Sequence, residues 1–216
     1  MDVCSIILSA GKGSRMFSDI PKPLHLISGK TMLERVIDAN KSANIKKCII
    51  VIPKNCEAFK GICHDFETVV QKVPKGTGDA VKKASNLLKK FTGVILVCFG
   101  DTPFLTSETF KRVIKAFDNK TKLVITGFKK FEKNNYGKSI VLKTNEPVEI
   151  IEQKDAEVRN IHSEFCNGGV MAIHSSIINQ LDKIQENSIS KEYYLTDLVN
   201  ILNKENKKIS YIESRE

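Results

Sequence analysis

A glycine-rich, basic loop directly follows the first apolar run of the chain. The segment reads Leu8-Ser9-Ala10-Gly11-Lys12-Gly13-Ser14-Arg15-Met16. Small residues let backbone N–H groups come close to a phosphate, and Lys12 and Arg15 add positive charge at that place. We therefore predict that this loop binds the phosphates of a ligand.

Two common nucleotide-binding patterns are missing from this loop. A Rossmann fingerprint needs a third glycine three residues after Gly13, and the chain has Met16 there. A Walker pattern needs a glycine five residues before Gly29, and that residue is Leu24. Neither Rossmann-type dinucleotide binding nor P-loop hydrolysis is predicted.

Two further segments carry single polar side chains in constrained surroundings. Lys22 stands between two prolines, which stiffen the backbone and suit a lysine that must point at an anion, although an exposed turn is an alternative. Gln71 ends an apolar run before the glycine turn that contains Gly76 and Thr77. Its amide could hydrogen-bond the edge of a base, although an ordinary strand-to-helix turn is the alternative.

One carboxylate follows the apolar run 94–99, where the chain reads Gly100-Asp101. Ligands of open parallel sheets bind at the carboxyl ends of the strands, and a single Asp there suits Mg²⁺ that bridges phosphates. Capping of the next helix is an alternative role, but Thr106 or Ser107 fills it better. Asp101 is therefore the predicted Mg²⁺ ligand.

The elements that must position these residues alternate between strand and helix. Strands are predicted at residues 3–8, 48–52, 68–73, 94–99 and 123–126, and helices at 31–43, 78–90 and 107–117. This alternation is typical of an α/β fold with a parallel sheet covered on both faces. The glycine loop, Gln71 and Asp101 would then meet at one sheet edge.

The pattern changes after residue 126. Strand-like runs at 137–142, 148–153 and 165–173 are separated by turn-prone stretches, and helices near 175–185 and 193–204 precede a last strand near 208–212. We expect a small mixed or antiparallel extension beside the first sheet. The chain is read as one domain, with a nucleotide-binding half at about 1–126 and a sugar-binding half at about 127–216.

In motif order and spacing the chain resembles the sugar-phosphate nucleotidyltransferases, in particular the uridylyltransferase domain of bifunctional N-acetylglucosamine-1-phosphate uridylyltransferases. The resemblance covers nearly the whole chain. Besides the motifs above, it rests on Tyr136-Gly137, Ile151-Glu152-Gln153-Lys154-Asp155-Ala156, Asn167-Gly168-Gly169 and Glu192-Tyr193-Tyr194-Leu195-Thr196-Asp197. It implies a Rossmann-like three-layer α/β/α fold.

The resemblance also implies a reaction: Mg²⁺-dependent transfer of uridylyl from UTP to N-acetylglucosamine 1-phosphate. The implied catalytic residues are Arg15, Lys22 and Asp101, with Asp101 on Mg²⁺. The implied nucleotide-binding residues are Leu8, Ser9, Ala10, Gly11, Gly13, Lys22, Gln71, Gly76, Thr77 and Gly100. The implied sugar-binding residues are Gly137, Glu152, Asn167, Tyr194 and Thr196.

The chain departs from this family pattern in two respects. The β-helix that carries acetyl transfer in the bifunctional proteins is missing, so neither that activity nor its trimer is expected. The family's second Mg²⁺ ligand, an Asn beyond the last strand, has no counterpart before the chain ends at residue 216. A truncated chain, a substitute ligand and weakened activity remain alternatives.

Composition limits the other functions. The chain of 216 residues has 34 Lys and Arg against 25 Asp and Glu, a net charge of +9 that could attract phosphate ligands. We expect no nucleic-acid partner, because Trp is missing and no basic-aromatic interleaving occurs. No apolar run approaches the roughly 18 residues of a membrane span, and the first residues lack a signal-peptide layout, so we expect a cytoplasmic protein.

Alternative functions remain open at this point. Relatives with the same scaffold could use another sugar phosphate or another base. A non-catalytic nucleotide-sugar-binding domain is a second alternative, although the presence of Arg15, Lys22 and Asp101 together argues against it. The sequence does not predict an oligomeric state.

Overall fold

A nine-stranded sheet runs through the middle of the molecule and is built from the apolar runs of the sequence. The computed structural model describes residues 1–11, 13, 16–55, 57–129, 138–143, 146–152 and 165–214, with the backbone alone at 138–143, 146, 148 and 152. The strands are β1 Val3–Leu8, β2 Leu26–Ile27, β3 Lys30–Thr31, β4 Lys47–Pro53, β5 Glu67–Gln71, β6 Val94–Phe99, β7 Thr121–Lys129, β8 Lys138–Lys143, β9 Glu146–Glu152, β10 Phe165–His174 and β11 Lys208–Glu213. Strands β2 and β3 form a separate antiparallel ribbon.

The order of the main sheet is β11-β7-β10-β6-β1-β4-β5, with the β8–β9 hairpin attached to β10. The pairs β1/β4, β1/β6, β4/β5 and β7/β11 are parallel. Strand β10 runs antiparallel to β6, β7 and β8. Strands from both predicted halves, residues 1–126 and 127–216, therefore share one sheet.

Helices cover both faces of this sheet. They are α1 Met32–Ser42, α2 Lys60–Cys63, α3 Thr77–Ser85, α4 Ser107–Lys115 and α5 Asp197–Lys204, with a 3-10 helix at Ser175–Lys183. Within β1, Ile6 and Leu8 pack on the side of α3, α5 and the 3-10 helix, whereas Ile7 packs on the side of α1 and α4. This alternation buries a strand on both faces and produces two apolar layers around the sheet. The predicted α/β fold is present.

The position of β10 differs from the sequence expectation. We expected the later strands to lie beside the first sheet, but β10 lies inside it, between β6 and β7. Its Met171 and Ile173 join one apolar layer while Val170 and Ala172 join the other. A strand that is apolar on both faces is most stable in the interior of a sheet, which explains the placement.

The last two helices also differ from the expected ones. The helix expected near 175–185 is a 3-10 helix, Ser175–Lys183. The helix expected from residue 193 begins only at Asp197, because the backbone of Tyr193 and Leu195 bonds to the turn at residues 75–78 instead of to a helix. No helix in the described part of the chain has the length and apolar character that a membrane crossing requires.

Candidate active site

A cavity of about 630 Å³ opens where β1, β5 and β6 end at their carboxyl termini. This is the edge at which open parallel sheets bind ligands. Ten residues singled out from the sequence line it: Leu8, Ser9, Ala10, Gly11, Gly13, Lys22, Gln71, Gly76, Thr77 and Asp101. Among the described residues, the lining also includes Met16, Pro23, Pro74, Ala80, Phe99 and Glu192. Residues spread over three strand ends therefore share one cavity.

Lys22 and Asp101 form an ion pair in this cavity. Nζ of Lys22 lies 2.7 Å from Oδ2 of Asp101, and the two side chains are 37% and 29% exposed. Lys22 begins a short 3-10 turn whose Pro23 is buried, which anchors the lysine backbone. Gly13 lies against it with a φ of +58°, and a Cβ at Gly13 would lie 2.9 Å from Cβ of Lys22. A glycine is required there for the loop and the lysine to approach this closely.

The ends of β1 and β6 are held together beneath the ion pair. The amide of Gly100 donates to the carbonyl of Leu8 at 2.9 Å. A Cβ at Gly100 would lie only 2.2 Å from Oγ of Ser9, so a larger residue does not fit. The Thr102 hydroxyl closes the turn around Asp101 by donating to the carbonyl of Phe99 at 2.6 Å. The carboxylate is thus presented by a rigid strand end.

The first amide of the glycine loop is already used. The amide of Ser9 donates to the carbonyl of Val51 at 2.8 Å, so it continues the sheet and does not face a ligand. The Ser9 hydroxyl is buried and has no hydrogen-bond partner within the described residues. The predicted phosphate-binding amides are therefore those that follow Ser9.

The side chain of Gln71 is fixed at the end of β5. It is 4% exposed, and its Nε2 donates to the carbonyl of Gly76 at 3.1 Å and to Oδ2 of Asp79 at 2.7 Å. Asp79 in turn is paired with Lys83, one helical turn further along α3. The amide that we predict to read a base is thus held by two acceptors.

The segment around Tyr193 is tied to the turn that follows Gln71. The amide of Tyr193 donates to the carbonyl of Lys75, and the Tyr193 carbonyl accepts from the amide of Gly78, both at 2.8 Å. The amide of Leu195 donates to Oγ1 of Thr77 at 3.0 Å. Gly76 has a φ of +100°, and a Cβ there would lie 2.4 Å from the Tyr193 carbonyl oxygen.

Two of the predicted sugar-binding residues adjoin this cavity. Asn167 and Thr196 line a narrow cleft next to it, and Thr77 and Phe99 line both spaces. The Asn167 carbonyl oxygen Oδ1 accepts from the amide of Gly169 at 3.1 Å, which fixes the orientation of that side chain. The structure thereby places the two groups of predicted residues next to each other.

Comparison with known proteins identifies the family. The MobA-like NTP transferase domain family matches residues 5–187. The chain belongs to this family. It is 34% identical over 221 residues to the bifunctional protein GlmU of Ruegeria sp. (strain TM1040), covering 100% of this chain and 49% of that protein. With the bifunctional protein GlmU of Buchnera aphidicola subsp. Schizaphis graminum (strain Sg) the identity is 38%, covering 96% of this chain and 45% of that protein.

The predicted nucleotidyltransferase resemblance is therefore confirmed, and the chain spans about half the length of the curated relatives it matches. The fold is confirmed as well. A solved structure of a UDP-glucose pyrophosphorylase complexed with UDP-glucose superposes with a TM-score of 0.78 at 16% identity, covering 99% of this chain and 91% of that one. The chain is a nucleotidyltransferase.

Several predicted residues are not among the described residues that line the cavity of this nucleotidyltransferase. Arg15 and Gly137 lie outside the described residues, and of Glu152 the structure describes the backbone alone, at the end of β9. Tyr194 is half-buried and lines neither the cavity nor the adjoining cleft. Gly100 is not part of the lining, and its amide joins the end of β6 to β1. Their predicted roles remain predictions.

Two acidic residues at or behind the cavity received no role from the sequence. Glu192 lines the cavity, and Asp79 contacts Gln71 from behind. The signal for Asp79 was present: a carboxylate in the first turn of α3, four residues before Lys83, stands where an acidic residue stabilises a helix start and pairs with a lysine. Because the helix start and the lysine already account for an Asp at this position, the sequence did not predict its contact with Gln71.

Proposed function

We propose that this nucleotidyltransferase transfers uridylyl from UTP to N-acetylglucosamine 1-phosphate, forming UDP-N-acetylglucosamine and pyrophosphate. The observation that carries the proposal is the shared cavity, in which Gln71 and the Lys22–Asp101 pair line one space. Asn167 and Thr196 lie beside it, at a narrow cleft of about 10 Å³. The match to GlmU proteins over nearly the whole chain supports this choice of base and sugar.

The residues fit a bound Mg²⁺. The Asp101 carboxylate is a hard oxygen ligand at the edge of β6 and lines the cavity. Within the described residues, no group of three or more His, Cys, Asp or Glu side chains comes together as a closed metal site. Mg²⁺ is often held by one or two carboxylates together with substrate phosphates, and the Asp101 carboxylate in the cavity beside the predicted phosphate-binding loop satisfies that requirement. When bound, Mg²⁺ would neutralise charge on the triphosphate and the departing pyrophosphate.

The reaction requires positioning and charge neutralisation. An oxygen of the sugar phosphate attacks the α-phosphorus of UTP, a new P–O bond forms, and the bond to pyrophosphate breaks in line. No covalent intermediate on the protein is needed. Lys22 would neutralise negative charge on the triphosphate, and the glycine loop would hold the phosphates with its backbone amides. Gln71 and Thr77 would hold the base, and Asn167 and Thr196 the sugar.

We also place this reaction in the cytoplasm. Cys4 and Cys98 are buried as free thiols, which is typical of proteins in a reducing compartment.

The test is pyrophosphate release with Mg²⁺, UTP and a panel of sugar 1-phosphates. We expect release that requires N-acetylglucosamine 1-phosphate and Mg²⁺ and that falls by about 10²-fold or more in Asp101→Asn. The matched control is Asp38→Asn, since Asp38 forms an exposed ion pair with Lys30 at 2.6 Å. Equal release with glucose 1-phosphate would refute the sugar assignment, and release with CTP in place of UTP would refute the base.

A further inference from the structure

The polarity of the Gln71 amide is decided by its two neighbours. One end of the amide lies 3.1 Å from the carbonyl oxygen of Gly76 and 2.7 Å from Oδ2 of Asp79. A backbone carbonyl and a carboxylate only accept hydrogen bonds, so the end that faces them must be the –NH₂ group. Both of its hydrogens are thereby used.

The remaining polar atom of this side chain is Oε1. Within the described residues no donor is bonded to it, and Gln71 lines the cavity although its side chain is 4% exposed. The wall of the cavity at the end of β5 therefore presents an acceptor. A base that lies against it gains a hydrogen bond if its edge carries an N–H at that point.

Asp79 is itself held in place. Its Oδ1 accepts from Nζ of Lys83, and the Asp79 side chain is 15% exposed. The Asp79 carboxylate thus bridges Lys83 on one side and Gln71 on the other. Asp79 lines no part of the main cavity and reaches the ligand side only through Gln71.

We propose that Asp79, held by Lys83, is a positioning residue that determines base specificity by fixing the amide polarity of Gln71. The inference rests on the proposed function. Uracil has an N–H at N3 and donates to Oε1, whereas cytosine has a lone pair at N3 and two acceptors then face each other. A ligand that leaves a polar group unpaired or repelled in a buried site binds with an affinity that is lower by about ten- to a hundredfold.

The experiment compares the dissociation constants of UTP and CTP, measured by calorimetry with the full chain and Mg²⁺. We expect the wild-type chain to prefer UTP and Asp79→Asn to lower this preference about three- to tenfold, because an Asn side chain can donate to Oε1 or accept from Nε2. The Gly76 carbonyl preserves part of the preference. Lys83→Met, which retains the carboxylate but loosens it, should lower the preference in the same direction.

The matched controls form an exposed ion pair between α3 and the 3-10 helix Ser175–Lys183. Lys82 pairs with Asp182 at 2.7 Å, and neither residue contacts Gln71 among its described contacts. Lys82→Met and Asp182→Asn should leave the UTP preference unchanged. In a Gln71→Met background, which removes Oε1, Asp79→Asn should have no further effect on the preference, since its action passes through Gln71.

Two results would overturn the inference. An Asp79→Asn variant that retains its fold and keeps the wild-type UTP preference within twofold shows that the carboxylate does not set the orientation of the Gln71 amide. An unchanged UTP preference in Lys83→Met supports the same conclusion. If Asp79→Asn lowers the UTP preference as much in the Gln71→Met background as in the wild-type chain, the substitution acts through a general structural effect and not through Gln71. If the wild-type chain neither binds nor turns over UTP or CTP, the proposed function itself is contradicted. If it binds UTP but Asp79→Asn has no effect on the preference, only the inference about Asp79 fails.

Discussion

Nζ of Lys22 and Oδ2 of Asp101 lie 2.7 Å apart, although the two residues are 79 positions apart in the sequence. Lys22 begins a 3-10 turn, and Asp101 follows β6. Both side chains are about one-third exposed, so the pair contributes only about 1 kcal/mol or less to stability. An ion pair of this strength is easily exchanged for stronger partners. A triphosphate would compete for Lys22, and a divalent cation would compete for Asp101.

Replacement of Lys22 by Met should reduce turnover more than it reduces stability. The variant loses a charge that we expect to neutralise the triphosphate, and the expected fall in kcat is about 10²-fold or more. The measurement is steady-state pyrophosphate release. Lys30→Met is the matched control, because Lys30 also pairs with an aspartate but lies outside the cavity lining. A Lys22→Met variant within threefold of wild type would contradict the assigned role.

Replacement of Gly76 by Ala should disturb both stability and nucleotide binding. The new Cβ would lie 2.4 Å from the Tyr193 carbonyl oxygen, and the φ of +100° disfavours any side chain. The backbone of Tyr193 cannot retreat without breaking its bonds to Lys75 and Gly78. We expect a loss of at least about 2 kcal/mol in the free energy of unfolding, measured by urea denaturation, and a raised KM for UTP.

Gly61→Ala is the control for this change, because a Cβ at Gly61 meets nothing within 4 Å. A Gly76→Ala variant as stable as Gly61→Ala would show that the turn at residues 75–78 and the segment at 193–195 move apart without cost.

The carboxylate of Asp118 should make stability depend on pH in the acid range. It accepts from the amide of Thr121 at 2.7 Å and its hydroxyl at 2.8 Å, and it pairs with Lys208 on β11. These contacts, the one with Lys208 foremost, hold the pKa of Asp118 well below its usual value. A carboxylate whose pKa is lowered by folding stabilises the fold at pH values above its pKa in the unfolded chain, which is about 3.9. This contribution is lost as the pH falls toward its pKa in the folded chain.

Asp118→Asn should therefore be less stable than wild type at pH 7, and the difference should shrink as the pH falls below about 4. Thermal unfolding between pH 2.5 and pH 7 measures it. Asp19→Asn, at an exposed loop position, serves as the control. A gap between wild type and Asp118→Asn that widens toward low pH would contradict the assigned sign.

The thiol of Cys4 should be unreactive in the folded chain. Burial raises the pKa of Cys4 to about 12, and burial also raises the pKa of Cys98 above its usual value. At pH 8 the thiolate fraction of Cys4 should be about 10³-fold below that of an exposed thiol. Timed alkylation followed by mass spectrometry should detect modified Cys4 in denaturant and almost none in buffer. Equal alkylation in both conditions would show that this strand end opens readily.

Much of the fold and of the cavity could be predicted because the signals are local. The bounds predicted for the strands 3–8 and 94–99 agree with Val3–Leu8 and Val94–Phe99. Continuous apolar runs identify buried strands, and the glycine loop, Gln71 and Asp101 stand at or next to the predicted strand ends. Because parallel strand ends meet at one edge, the sequence was sufficient to predict that these residues share a site.

The placement of β10 and of Asp79 depended on contacts between distant parts of the chain. The sequence of residues 165–174 does not predict that the strand enters the sheet between β6 and β7. That position depends on which apolar surfaces remain uncovered after the other strands have paired. Asp79 has a sufficient local explanation in its helix, and only the packing of α3 against β5 brings its carboxylate to Gln71.

The sequence by itself determined most strands of the main sheet and the helices α1, α3 and α4, because backbone propensity and apolar periodicity act over a few neighbouring residues. The order and spacing of its motifs indicated the family and the polar residues at the sheet edge. The tertiary structure decided which atoms of those residues face the cavity. The orientation of the Gln71 amide, the pairing of Lys22 with Asp101 and the hydrogen bonds of Tyr193 to Lys75 and Gly78 each require groups that only folding brings within hydrogen-bond distance.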